Sequence, residues 1–152
     1  MSNQIDPISH NARSFGHINL PAYVKITAEG GRLNINAIIA DVPLYMMFLD
    51  KCINEDDQER RIGLGVRGFA RAISMMGANY QDVAEGLAGV LFSVLHQVGG
   101  EVSRSSAKAY NMDREYRNLS WITIDRSLDP DEDLPEELVD KVYEAARKAV
   151  GV

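Results

Sequence analysis

Apolar residues at Ile62, Val66, Phe69, Ile73 and Met76 recur at spacings of four, three, four and three, the clearest periodicity in the chain. Such a stripe predicts an amphipathic helix over residues 58–77. Arg60, Arg67 and Arg71 lie on its opposite side, within about 40° of one another at ~100° per residue. Asp56, Asp57 and Glu59 complement the dipole at its start, and Gly77 ends it.

Elsewhere the period is two. Val24, Ile26 and Ala28 alternate with polar residues, as do Leu33, Ile35 and Ala37, on either side of Gly30-Gly31. This predicts a β-hairpin with a two-residue turn, its second strand continuing through Ala40. Asp41 with Pro43 reads as a helix start, and the helix to about Asn54 is apolar on most sides, hence largely buried.

Asn79 caps the next helix, residues 79–98, whose broad apolar face (Val83, Leu87, Val90, Leu91, Val94, Val98) marks a central core helix or a dimer interface. Gly99-Gly100 ends it, and residues 101–118 form a separate polar helix. Residues 121–125 alternate as a short strand that could extend the hairpin. A last helix over 135–150 turns Leu138, Val142, Ala145 and Ala149 inward. The fold class is α+β, mainly helical, with about five helices, a small antiparallel hairpin and one further short strand. Residues 1–20 are polar and aperiodic and form a flexible or docking arm; residues 21–152 form a single globular domain.

Composition refines this picture only modestly. Hydrophobic content of 45% and charged content of 25% fit an ordinary globular chain. The longest uninterrupted apolar runs fall short of the ~20 residues that span a bilayer, so no membrane is expected. One cysteine, Cys52, excludes an internal disulfide; it reads as a small buried hydrophobe in a cytoplasmic protein. The net charge is −6, and the segment from Asp125 onward holds nine acids against four bases. The rest is near neutral, which leaves room for a local basic site.

That site is the arginine cluster Arg60, Arg61, Arg67 and Arg71, in a stretch with no acid between Glu59 and Asp82. Planar guanidinium forks suit an anion, an acidic partner or nucleic acid. The competing reading is a solvated face, or a partner for the acidic 129–140 segment. A secondary basic face comprises Arg104, Lys108, Arg114 and Arg117.

Other signals are weaker. Gly63-Leu64-Gly65-Val66-Arg67-Gly68 spells G-x-G-x-x-G, but a dinucleotide site needs a hydrophobic strand before it, and Asp-Asp-Gln-Glu-Arg-Arg precedes it. Close helix packing through Gly63, Gly65, Gly68, Gly86 and Gly89 is the plainer explanation. A helix-turn-helix can be framed with a turn at Ala88-Gly89-Val90 or at Gly99-Gly100; the first gives too apolar a recognition helix, the second has poor spacing.

His10, His17 and His96 have no metal-ligand spacing, so no metal and no cofactor are expected. The Met-rich patches at Met46-Met47 and Met75-Met76 are core filler or, where exposed, an adaptable interface.

The expected function is a small non-catalytic binding or regulatory protein, adaptor-like, acting through a protein partner and as a homo-oligomer through the 79–98 helix. A nucleic-acid-binding regulator using the arginine face is the alternative. An enzyme with an unrecognised site ranks third.

Overall fold

The computed structural model describes residues 14–56, 62–109, 119–120, 124–125 and 136–150. Strand β1 (Ser14–Asn19) passes through a 3₁₀ turn (Leu20–Tyr23) into a hairpin of β2 (Val24–Thr27) and β3 (Gly30–Leu33), then helix α1 (Ile35–Lys51). Strand β4 (Ile62–Arg67), helix α2 (Phe69–Met75) and helix α3 (Tyr80–Ala109) follow. The short strands β5 (Leu119–Ser120) and β6 (Ile124–Asp125) precede helix α4 (Glu136–Val150). The class is α+β and mainly helical, with four helices among the described residues.

The apolar stripe Ile62, Val66, Phe69 and Ile73 is buried and Met76 partly so, but the stripe is not one helix. Ile62, Leu64 and Val66 lie in β4; Phe69 and Ile73 lie in α2. Between them Gly68 adopts φ +70°, and a Cβ there would sit about 2.5 Å from Pro21 Cδ. Only glycine fits that corner without strain. A short apolar run buried on both faces mimics helical spacing, which is why periodicity alone misassigned β4.

Strand β4 is the centre of a parallel sheet. Strand β1 runs along one edge in register from Ser14↔Ile62 to Asn19↔Arg67. Strands β5 and β6 pair in parallel with Ile62-Gly63 and with Val66-Arg67. The β6 strand therefore joins this sheet, not the hairpin. Parallel neighbours need crossovers, and α1 and the α2–α3 pair lie in the two long connections.

The hairpin is present, with a shifted turn. Thr27 pairs with Gly30, so Ala28 and Glu29 make the loop and Gly30-Gly31 belongs to β3. A Cβ on Gly31 would collide with the Met75 carbonyl, so the hairpin can lie against the end of α2. Residues 35–40 are helical rather than extended, because Asn34 Oδ1 accepts the Ala37 N–H at 3.0 Å and caps α1 seven residues before Asp41.

Within the segment expected as a flexible or docking arm, residues 14–20 form β1 and open the 3₁₀ turn, with Ile18 and Leu20 fully buried. Residues 1–13 lie outside the described residues.

Helix α3 is the central core helix. It turns Ala84, Ala88, Leu91, Phe92 and Leu95 inward and packs against α1 and α4. It runs unbroken through Ala88-Gly89-Val90 and Gly99-Gly100, which removes both helix-turn-helix framings and merges two expected helices. Each internal glycine costs up to about 1 kcal/mol, and tertiary packing of the buried face offsets that cost. Its Tyr80–Val102 stretch is long and apolar enough to cross a membrane by length and composition, yet its core-facing side is engaged by α1 and α4.

Helix α4 buries Val139, Val142, Tyr143 and Ala146, a stripe rotated by about one residue from Leu138, Val142, Ala145 and Ala149, which are half-buried apart from Val142. Cys52, expected to be buried, is exposed at the end of α1.

Candidate binding site

Helix α1 buries Ile38, Val42, Met46 and Leu49, one stripe at spacings of four, four and three. The same helix leaves Leu44 at 62%, Met47 at 52% and Phe48 at 68% exposure. The expectation that it is largely buried fails here. Leu44, Met47 and Phe48 are three and four residues apart, so they occupy one side of the helix, facing solvent.

Beside them runs β1, whose Phe15 and His17 sit on one face of the strand as residues two apart must. Their rings meet edge to face, centroids 4.7 Å apart. Gly16 faces the other way; a Cβ there would lie 3.2 Å from Leu49 Cδ2, so its small size lets α1 lie close against the strand.

Between β1 and α1 opens a cleft of about 560 Å³ lined by Phe15, Gly16, His17, Asp41, Leu44, Tyr45, Phe48, Leu49 and Leu64. The volume falls inside the range of roughly 300–1,000 Å³ typical of small-ligand sites. Its lining is apolar and aromatic around one polar constellation. Tyr23, on the 3₁₀ turn, donates its hydroxyl proton to Asp41 Oδ2 across 2.6 Å. The Tyr23 and Tyr45 hydroxyl oxygens are 2.7 Å apart. A phenol has a single proton and that of Tyr23 goes to Asp41, so Tyr45 donates to Tyr23.

Burial first, then the hydrogen bonds to Asp41 and Tyr45, push the Tyr23 phenol well above its ordinary value. Tyr23 is a fixed donor, and the chain Tyr45–Tyr23–Asp41 holds the carboxylate in place. The arrangement positions the Asp41 carboxylate among aromatic residues, with the Tyr23 phenol held protonated beside it. Among the described residues no group of His, Cys, Asp and Glu could hold a metal ion.

The arginines are distributed differently from their expected ridge. Arg67 is exposed at the end of β4, in register with Asn19 and Asp125. Arg71 is exposed on α2, beyond the left-handed turn at Gly68, so no single helix carries both. Arg60 and Arg61 lie outside the described residues, as do Arg114, Arg117 and the acidic residues 129–133.

Arg104 is exposed on α3 and its guanidinium lies close to Gly100. Lys108 is on α3, its side chain outside the described set. G-x-G-x-x-G is β4 itself together with its closing glycine, not a turn after a strand. Gly86 and Gly89 mediate no close packing either: a Cβ on either would meet nothing within 4 Å.

The cleft residues carried only faint signals. Phe15 and His17 sat in a segment without extended periodicity, and Asp41 looked like a helix cap. Met47 and Phe48 lie off the Ile38–Val42–Met46–Leu49 stripe that α1 buries, on a side whose apolar residues gave no sign of facing solvent. No protein-family model matches the chain, and no curated protein is significantly similar to it.

Proposed function

We propose that this protein is a small adaptor-like binding module that grips a protein partner through the apolar surface of α1 and β1. The observation that carries this reading is the exposure of Leu44, Phe48 and Phe15 along one cleft, with Met47 exposed on the same side of α1. Scattered apolar residues on a surface need no explanation, whereas a contiguous patch beside a concavity marks an interaction site. Aromatic residues and methionine are also the types enriched in interface cores, and Met47 supplies an adaptable contact. Strand β1 adds to the surface, since among the described residues no strand pairs with its outer edge.

Self-association is the nearest variant. The inward face of α3 packs against α1 and α4 while Val90 on the same helix is exposed, so a second copy could meet either the 79–98 helix or the larger apolar patch of α1. The arginine reading keeps a narrower base in the exposure of Arg67, Arg71 and Arg104, and predicts nucleic-acid binding that falls steeply with salt.

The test is capture of partners from the native host by three forms of the full chain. Leu44→Asp with Phe48→Asp should keep its circular dichroism spectrum and lose the partner held by the wild type. Arg67→Glu with Arg71→Glu should retain it. The opposite pattern sinks the apolar-patch reading and favours the arginine face; a wild-type dimer by light scattering at micromolar concentration, broken by Phe48→Asp, makes the partner a second copy.

A further inference from the structure

We infer that the α1–β1 cleft receives an arginine side chain of the protein partner, flanked by apolar neighbours. This rests on the docking reading above and names the chemistry of the docked segment.

Charge decides the sign of the occupant. Among the described residues lining the cleft, Asp41 is the one acid, with no lysine or arginine beside it. A partner segment that covers the cleft takes this carboxylate out of water, and a desolvated charge is tolerated only when paired and hydrogen-bonded. An anionic occupant would be repelled. A neutral one would leave the carboxylate with no counter-charge.

The carboxylate is also prepared for a partner. Tyr23 occupies one acceptor position on Oδ2, and Tyr45 fixes Tyr23 from behind. An ionised carboxylate offers about four lone-pair sites, so most of its acceptor capacity stays available while its orientation is set. Preorganisation of this kind lowers the entropic cost of forming a directional contact.

The walls select guanidinium over ammonium. Phe15, His17, Tyr45 and Phe48 line the same cleft as the carboxylate and bring four rings to it. A guanidinium is planar, stacks on aromatic faces, offers a fork of donors to a carboxylate and is weakly hydrated. A lysine ammonium is a compact, strongly hydrated point charge that gains less on entering such a slot. Leu44, Leu49 and Leu64 provide apolar surface for the arginine's methylene stem and for adjoining side chains.

The experiment uses the full-length protein and four blocked tripeptides: acetyl-Leu-X-Phe-amide with X as arginine, citrulline, lysine or glutamate. Citrulline keeps the shape of arginine and removes its charge. Isothermal titration or NMR shift mapping should show the arginine peptide binding about tenfold or more tighter than the citrulline peptide, with lysine intermediate and glutamate weakest.

Asp41→Asn, which keeps an acceptor for Tyr23, should abolish the arginine-over-citrulline preference. Phe15→Ala should weaken the arginine peptide several-fold, and Arg67→Glu should change nothing. Equal affinity for arginine and citrulline overturns the inference, as does equal affinity for lysine, a preference that survives Asp41→Asn, or no binding at millimolar peptide. Those failures leave the docking reading standing if partner capture still depends on Phe48. Loss of that dependence overturns the docking reading while the peptide preference is measured independently.

Discussion

Tyr23 and Asp41 are joined by a 2.6 Å hydrogen bond from phenol to carboxylate that ties the 3₁₀ turn after β1 to the second turn of α1. With the 2.7 Å contact to Tyr45, it sets the orientation of the cleft's carboxylate, Asp41. It also links two elements that each contribute to the core through Leu20, Ile38 and Val42. The bond therefore serves both the packing of α1 and the chemistry of the surface beside it.

Its signature should be visible at high pH. The Tyr23 phenol is raised above its ordinary 10.0 by burial, then by Asp41 and Tyr45. A group held protonated more firmly in the folded than in the unfolded chain contributes its full stability below the unfolded value. That contribution falls away as pH rises through the interval between the two. Urea-unfolding midpoints of the wild type should decline from about pH 10 upward more steeply than those of Tyr23→Phe, a window set by the ordinary tyrosine value. At neutral pH the same substitution should cost about 1–2 kcal/mol, because Asp41 and Tyr45 lose a partner. Parallel curves for the two proteins would show that Tyr23 is not held in this way.

Much of the fold was legible from local rules, and the failures share a cause. Burial of Ile62, Val66, Phe69 and Ile73, the hairpin near Gly30, the core role of residues 84–95 and the existence of the last helix follow from periodicity and turn chemistry. The parallel sheet did not. Parallel strands lie far apart in sequence and lack a connecting turn to announce them, and β4 reads as Ile-Gly-Leu-Gly-Val, whose spacing to Phe69 imitates a helix. Gly63 and Gly65, poor helix formers, were the available warning. The cleft was invisible for a related reason: it brings together β1, the 3₁₀ turn, α1 and β4, and no stretch of sequence contains it.

Gly68 makes the β4–α2 corner testable. Its φ of +70° disfavours any residue with a Cβ, and that Cβ would press on Pro21. Gly68→Ala should lower stability by about 1–3 kcal/mol, the usual cost of strain at such a position. Chemical denaturation with an unchanged m-value would report this directly. A neutral result would mean that the 3₁₀ turn moves freely, contrary to the burial of Leu20.

Gly86 and Gly89 predict the reverse. Both are internal to α3, and a Cβ at either position meets nothing within 4 Å. Alanine there gains helix propensity at no steric cost, up to about 1 kcal/mol for each site. Gly86→Ala with Gly89→Ala should raise the thermal midpoint, roughly 2–4 °C per kcal/mol for a chain of this size. A fall in the midpoint would show that the groove beside α4, lined by Gly86, Gly89, Lys141 and Glu144, closes on itself in solution.

Two phenylalanines separate core from surface most sharply. Phe92 is fully buried in α3, whereas Phe48 projects from α1 at 68% exposure. Truncating a buried phenylalanine removes its transfer energy and leaves a cavity, so Phe92→Ala should cost about 3–5 kcal/mol. Phe48→Ala removes surface that is already wet and should fall within about 0.5 kcal/mol of the wild type. Thermal denaturation of the two variants decides the matter. If Phe48→Ala is as damaging as Phe92→Ala, the apolar side of α1 is covered in the folded protein. A second copy would then be its occupant, and the midpoint would rise with protein concentration.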